Sequence, residues 1–138
     1  MTPPPEARFE SAAVWLEFAE VDLAAARKLV EADLLAPACF HAQQAAEKAL
    51  KAYLVALGES RLPHTHNLTQ LARAAAALGG EMIAGEGVRK LTDYAVEIRY
   101  PDAPAPDENE AGQALAWAAE IVREARQRIE QARNQTKP

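Results

Sequence analysis

A stripe of polar residues runs along one side of the segment CFHAQQAAEKALKAYL, residues 39–54. At 100° per residue, Gln44, Glu47, Lys48 and Lys51 fall within about 100° of one another on a helix, opposite a small and apolar side. Lysine ammonium groups on a rigid helix suit the binding of phosphate. Taken alone, the stripe is more typical of an exposed helix face stabilised by the i, i+4 pair of Glu47 and Lys51.

A second chemical feature lies in the preceding helical pattern, where Asp22 falls near the middle of an apolar arc and close to Trp15. A carboxylate in such a place lowers stability unless a basic or hydrogen-bonding group meets it. We expect that partner to be Arg99 or a lysine. The alternative is that Asp22 lies in a gap open to water.

The three histidines do not predict a metal site. His41 lies within the polar segment, and His64 and His66 lie in LPHTHNLTQL with no third ligand nearby. Cys39 is the single cysteine, so neither a disulfide nor a cysteine zinc site can form. His66 or Asn67 is expected to cap the helix that follows, and no cofactor is expected.

Arg99 and Tyr100 form the last candidate pair, just before Pro101 in YAVEIRYPDAP. At a helix end, a guanidinium and a phenol could contact a phosphate and a base. Alternatively, Arg99 pairs with a carboxylate such as Asp22, and Tyr100 packs in the bundle. No GxSxG, HExxH, GxxxxGK[ST] or GxGxxG motif is present.

Helices must position these residues, because alanine dominates and most Gly and Pro fall in short clusters. The pattern predicts helices over residues 10–32, 37–57, 68–78, 87–99 and 109–133. In the last helix an apolar seam recurs at spacings of 3 and 4, at Leu115, Ala118, Val122, Ala125 and Ile129. Long helices with short connections predict an all-α fold, an up-and-down antiparallel four-helix bundle with one additional short helix.

The chain of 138 residues fits one domain, which we place at residues 9–133 between a flexible arm, 1–8, and a frayed end, 134–138. The 15 basic and 20 acidic residues give a net charge of −5, which argues against a broad face for duplex DNA. No signal peptide or membrane span is apparent in the sequence. We therefore expect a cytoplasmic protein.

The order of FHAQQAAEKALKAYL, HTHNL and IRYPD, with AEVDLAAARKLV in the first helix, resembles the HEPN domain family over about residues 9–132. HEPN stands for higher eukaryotes and prokaryotes nucleotide-binding domain. The resemblance implies a helical bundle, often a homodimer, that accompanies a small nucleotidyltransferase in a toxin–antitoxin-like pair. Many members are metal-independent RNA endonucleases with an Arg-x4-6-His motif.

This chain departs from that motif, because YPDAPAPDENE follows Arg99 without a histidine. Arg61 and His66 have the required spacing, but they lie between the second and third helices, so the nuclease role is not carried over to them. The resemblance implies that the matching polar positions lie near a common cleft; they are Asp22, Gln44, Glu47, Lys48, Lys51, His66, Arg99, Tyr100 and Asp102.

Three hypotheses follow from the residues and the resemblance together. The leading one is a non-catalytic module that binds a nucleotide, an RNA end or a nucleotidyltransferase, with phosphate contacts from Lys48, Lys51 and Arg99 and stacking on Tyr100. The second is a metal-independent ribonuclease in which Arg99 stabilises charge and His66 acts as acid or base. The third is a dimerisation or adaptor subunit whose polar stripe only orders the bundle.

Overall fold

The computed structural model describes residues 2–97, 101–102 and 104–137, and within these ranges it contains six helices and no strand. The helices are α1 (Pro5–Glu31), α2 (Leu35–Ala56), α3 (Leu68–Ala77), α4 (Glu86–Thr92), α5 (Tyr94–Glu97) and α6 (Glu108–Gln135). The predicted all-α class is confirmed, whereas the finer four-helix arrangement stays a prediction. In the described part of the chain no helix combines the length and apolar character that crossing a membrane requires.

Helix α2 is the centre of the fold, since every other helix contacts it. Its buried side chains include Ala42, Ala46, Ala49 and four further alanines, which allow neighbouring helices to approach on several sides. Beyond the first turn of α2, only one strip of this helix keeps partial contact with solvent. The half-buried residues on that strip are Phe40, His41, Gln44, Lys48, Lys51 and Val55.

Helices α1 and α2 run in opposite directions, as three contacts along their length show. Asp22 meets His41, Trp15 lies beside Lys51, and Arg8 Nε donates to the carbonyl oxygen of Ala56 at 3.4 Å. Residue numbers therefore fall along α1 as they rise along α2. The partly open strip of α2 faces one edge of α1 over more than three helical turns.

Local residues set two helix ends, and one of them, the cap at Asn67, is among those predicted. Gly58, at φ 102°, adopts the left-handed conformation that ends α2, and the N–H groups of Gly58 and Glu59 donate to Val55 and Leu54. Asn67 caps α3, because its side chain accepts a hydrogen bond from the N–H of Gln70 at 3.1 Å.

Two helix boundaries differ from the prediction by more than two residues. Helix α1 begins at Pro5 rather than near residue 10, because proline is tolerated in the first turn, so part of the expected N-terminal arm is helical. The predicted helix 87–99 is interrupted at Asp93, whose N–H donates to Lys90, three residues back, at 3.4 Å. The division into an arm, one domain and a frayed end stays a prediction.

The seam predicted for the last helix forms. Ala118, Val122, Ala125 and Ile129 are buried, and Leu115 is half-buried against the core. Helix α6 packs on both α1 and α2. It therefore supports the pair of helices that carries the polar residues.

Candidate functional site

Polar side chains of α2 meet Asp22 of α1 and His66 of the connection before α3. We call this cluster the polar cleft, and it consists of Asp22, His41, Gln43, Gln44, Glu47, Lys48, Lys51 and His66. It lies on the partly open strip of α2. Most of the residues selected from the sequence are thus brought together.

Asp22 is 7 % exposed, and both of its carboxylate oxygens have donors. His41 Nδ1 lies 2.9 Å from Oδ1, and Lys48 Nζ donates to Oδ2 at 2.5 Å. A carboxylate only accepts hydrogen bonds, so Nδ1 of His41 carries the hydrogen of this contact. The partner expected for Asp22 is therefore a lysine, together with a histidine that the prediction did not include.

Glu47 forms the second half of the polar cleft and is 5 % exposed. Its carboxylate accepts hydrogen bonds from His66 Nδ1 at 2.8 Å, Lys51 Nζ at 2.9 Å and Gln43 Nε2 at 3.3 Å. Burial opposes ionisation of Glu47, but the hydrogen bonds from His66, Lys51 and Gln43 and the charge of Lys51 together hold its pKa below the ordinary value. The exposed-face interpretation therefore does not hold for Glu47.

Amide groups tie the cleft to the connection before α3. Gln43 Nε2 also donates to the carbonyl oxygen of His66 at 3.2 Å, and Gln44 Nε2 donates to Gln43 Oε1 at 2.8 Å. Gln43 has no exposed surface. These bonds fix the backbone of His66 against α2, so the His66 ring has a defined place beside Glu47.

The two halves of the polar cleft have the same composition, one carboxylate with one lysine and one histidine. The charges of Lys48 and Lys51 balance those of Asp22 and Glu47 when the histidines are neutral. Within the described residues, the Nε2 atoms of His41 and His66 have no hydrogen-bond partner. Each imidazole is thus held at Nδ1 and keeps a second nitrogen for a ligand or a proton.

An aromatic side chain borders the cleft on the α1 side. Lys51 Nζ lies 5.9 Å from the centroid of the Trp15 ring, within the range of a cation–π contact. Lys51 is therefore held between a carboxylate and an aromatic ring. Its side chain is 15 % exposed, compared with 29 % for Lys48.

Of the remaining predicted site residues, only Asp102 is described, and it is not part of the polar cleft. Asp102 lies exposed in a turn, and Arg99 and Tyr100 lie outside the described residues. His41 and Gln43 were not chosen from the sequence. A signal for His41 exists, because His41, Gln44, Lys48 and Lys51 recur at spacings of 3, 4 and 3, which places them on one helix face.

No group of three or more His, Cys, Asp or Glu side chains in the described ranges is arranged to hold a metal ion. The fold and the site together define the class of this protein. It is an all-helical domain in which lysines, carboxylates and histidines are paired in one cleft.

The HEPN domain model matches residues 12–132, and the chain therefore belongs to the HEPN domain family. The resemblance noted from the sequence is confirmed.

Two solved structures are similar to this chain. TT1696 from Thermus thermophilus is 30% identical, with a TM-score of 0.71 over 85% of this chain and 97% of its own. ST0689, an archaeal HEPN homologue, is 25% identical, with a TM-score of 0.65 over 86% of this chain and 97% of its own. A search among curated proteins finds no match.

Proposed function

We propose that this HEPN protein binds the phosphate group of a nucleotide or of an RNA end in the polar cleft without cleaving it. One observation carries the proposal. The ammonium groups of Lys48 and Lys51 lie on the same partly open strip of α2, and each is held in place by a buried carboxylate. Three residues apart on one helix face, they can contact the same small anion.

Each ammonium has three N–H donors, and the contact with Asp22 or Glu47 uses one of them. The other donors can reach phosphate oxygens without either lysine leaving its carboxylate. Because folding has already ordered both side chains, binding loses little further conformational entropy. Two lysines supply contacts for one phosphate group rather than the many contacts that a long polyanion needs.

Replacing Lys48 with glutamine is expected to weaken the binding of AMP by about tenfold or more, the effect of losing a charge-assisted hydrogen bond. Glutamine keeps a polar side chain at this position and His41 still donates to Asp22, so the fold should persist. Isothermal titration calorimetry of the wild type and Lys48→Gln measures the effect, with Lys90→Gln on the exposed face of α4 as the control. Absence of heat at millimolar AMP, or equal affinity of Lys48→Gln and wild type, would refute the proposal.

The family resemblance adds a partner to this function, a small nucleotidyltransferase that forms a toxin–antitoxin-like pair with the HEPN protein. The two lysines on the partly open strip of α2 are compatible with a ligand that both proteins bind. A nucleotidyltransferase gene next to the gene of this protein would support the pairing.

Metal-independent RNA cleavage is the second candidate function, and a specific feature favours it. His41 and His66 each hold Nδ1 against a carboxylate, the arrangement in which an imidazole presents Nε2 as an acid or a base. Lys48 and Lys51 could stabilise developing phosphorane charge, in addition to the role that the resemblance implies for Arg99. RNA incubated with the protein and a chelator distinguishes the candidates, because only a nuclease produces fragments that disappear with His66→Ala.

We also propose that two copies associate through the outer face of α1. Val14, Phe18 and Val21 are 50 %, 56 % and 64 % exposed at spacings of 4 and 3, the seam of a helix pair. A second copy is the occupant that fits, because an antiparallel pair centred near Phe18 packs this stripe against itself. It also brings Glu10 of one copy near Lys28 of the other.

Replacing Phe18 with glutamate is expected to convert a dimer into a monomer of 15.0 kDa, because the charge would lie at the centre of the apolar contact. Size-exclusion chromatography with light scattering measures the mass. Met82→Glu, which alters another exposed apolar residue, should stay dimeric. A weak dimer should form at a protein concentration of roughly 0.1 mM. A wild type that is still monomeric at that concentration would contradict the proposal.

A further inference from the structure

A cavity of about 380 Å³ lies between the start of α1 and the connection after α2. Trp15 and Val55 are the lining residues nearest to the polar cleft. The residues that line the cavity include Arg8, Ser11, Trp15, Val55, Glu59 and Leu62. Its volume lies within the usual range of roughly 300–1,000 Å³ for small-molecule sites.

The walls of this cavity suit a flat aromatic group with polar edges. Trp15, Val55 and Leu62 are half-buried and provide an aromatic and apolar surface. Ser11 and Glu59 supply a hydroxyl group and a carboxylate that can accept hydrogen bonds. Glu59 Oε1 accepts a hydrogen bond from the N–H of Arg61 at 3.1 Å, which holds it in the connection.

Trp15 joins the cavity to the polar cleft. It lines the cavity, and its ring centroid is 5.9 Å from Lys51 Nζ. Val55 follows Lys51 by one helical turn on the same strip of α2. The far end of a ligand whose phosphate contacts Lys48 and Lys51 could therefore reach Trp15 and the cavity.

We propose that Trp15, Val55 and Leu62 form a nucleobase subsite adjoining the phosphate-binding lysines. This proposal rests on the proposed function of the polar cleft. It assigns a binding site to the base of the ligand, which the lysines do not contact. Stacking on the aromatic ring provides affinity for any base, since every base has a π face. The ligand class is therefore a nucleotide or an RNA end, rather than free phosphate.

The experiment compares AMP with ribose 5-phosphate, which lacks the base, by isothermal titration calorimetry. The wild type is expected to bind AMP at least about tenfold more tightly, as base stacking on an aromatic side chain predicts. Trp15→Leu should remove this difference, because it should weaken the binding of AMP by about tenfold more than the binding of ribose 5-phosphate. Trp117→Phe, at the second tryptophan on α6, is the control and should retain the difference.

A second variant protects the test against a fold defect in Trp15→Leu. Val55→Trp fills the cavity from the half-buried strip of α2 and should also remove the preference for AMP. Equal affinities of the wild type for AMP and ribose 5-phosphate would overturn the subsite and leave the phosphate site standing. Equal weakening of both ligands by Trp15→Leu would show that Trp15 acts only through Lys51, and binding of neither ligand would refute the proposed function as well.

Discussion

Lys51→Met is expected to lower the free energy of unfolding by about 3 kcal/mol, at the low end of the range for breaking one side of a buried ion pair. The carboxylate of Glu47 is buried and loses its only described positive partner with a permanent charge. Methionine keeps most of the apolar volume beside Trp15, so the loss of stability comes from the missing positive charge and not from lost packing. His66 and Gln43 still donate to Glu47, which limits the loss.

Chemical denaturation at pH 7 measures this difference. The control is Arg126→Met, which removes an ion pair with Glu20 on the surface, where the two side chains are 54 % and 43 % exposed. Exposed pairs contribute about 1 kcal/mol or less, so this control should remain close to the wild type. If both substitutions lowered the free energy of unfolding equally, the burial of Glu47 would not explain the stability lost with Lys51.

Much of the fold could be predicted from local sequence signals. The apolar seam of α6, the glycine that ends α2 and the cap at Asn67 each depend on residues close in the chain. The interruption at Asp93 could not be predicted, because its sequence carries neither a proline nor a glycine. It arises where the hydrogen-bond spacing shortens from four residues to three.

The candidate site was predicted in its composition but not in its pairing. Asp22 is predicted because a carboxylate on an apolar arc needs a partner, and Glu47, Lys48 and Lys51 because they share a polar helix face. Which lysine meets which carboxylate depends on the register between α1 and α2, and Asp22 and His41 are 19 residues apart. Helical periodicity gives the face of one helix and not its position along a neighbour.

The apolar arc of α1 shows the same limit. The sequence indicates a wide arc, and the structure buries Leu16 and Leu23 but leaves Val14, Phe18 and Val21 exposed. The width of an apolar arc does not show which of its residues are buried by other helices of the same chain. The uncovered part adjoins the polar cleft, because Trp15 and Asp22 lie beside it on α1.

Acid should destabilise the protein partly through Glu47. Its pKa in the folded state is below the ordinary value of 4.5, so its contribution to stability is fully present above about that pH and is lost as the pH falls through the folded-state pKa. Protonation leaves Lys51 positively charged and poorly exposed beside a neutral acid.

The Glu47→Gln variant lacks this titration and should be less stable at pH 7 but less sensitive to acid. Below pH 4.5, its free energy of unfolding should fall less steeply than that of the wild type, by at most about 1.4 kcal/mol per pH unit, the slope for one proton. Denaturation curves between pH 7 and pH 3 test this, with Glu17→Gln on the exposed side of α1 following the wild type. If the stability of Glu47→Gln and that of the wild type changed with pH in parallel, the pKa of Glu47 would be the same in the folded and unfolded states. The hydrogen bonds from His66, Lys51 and Gln43 would then not favour the ionised carboxylate in the folded state.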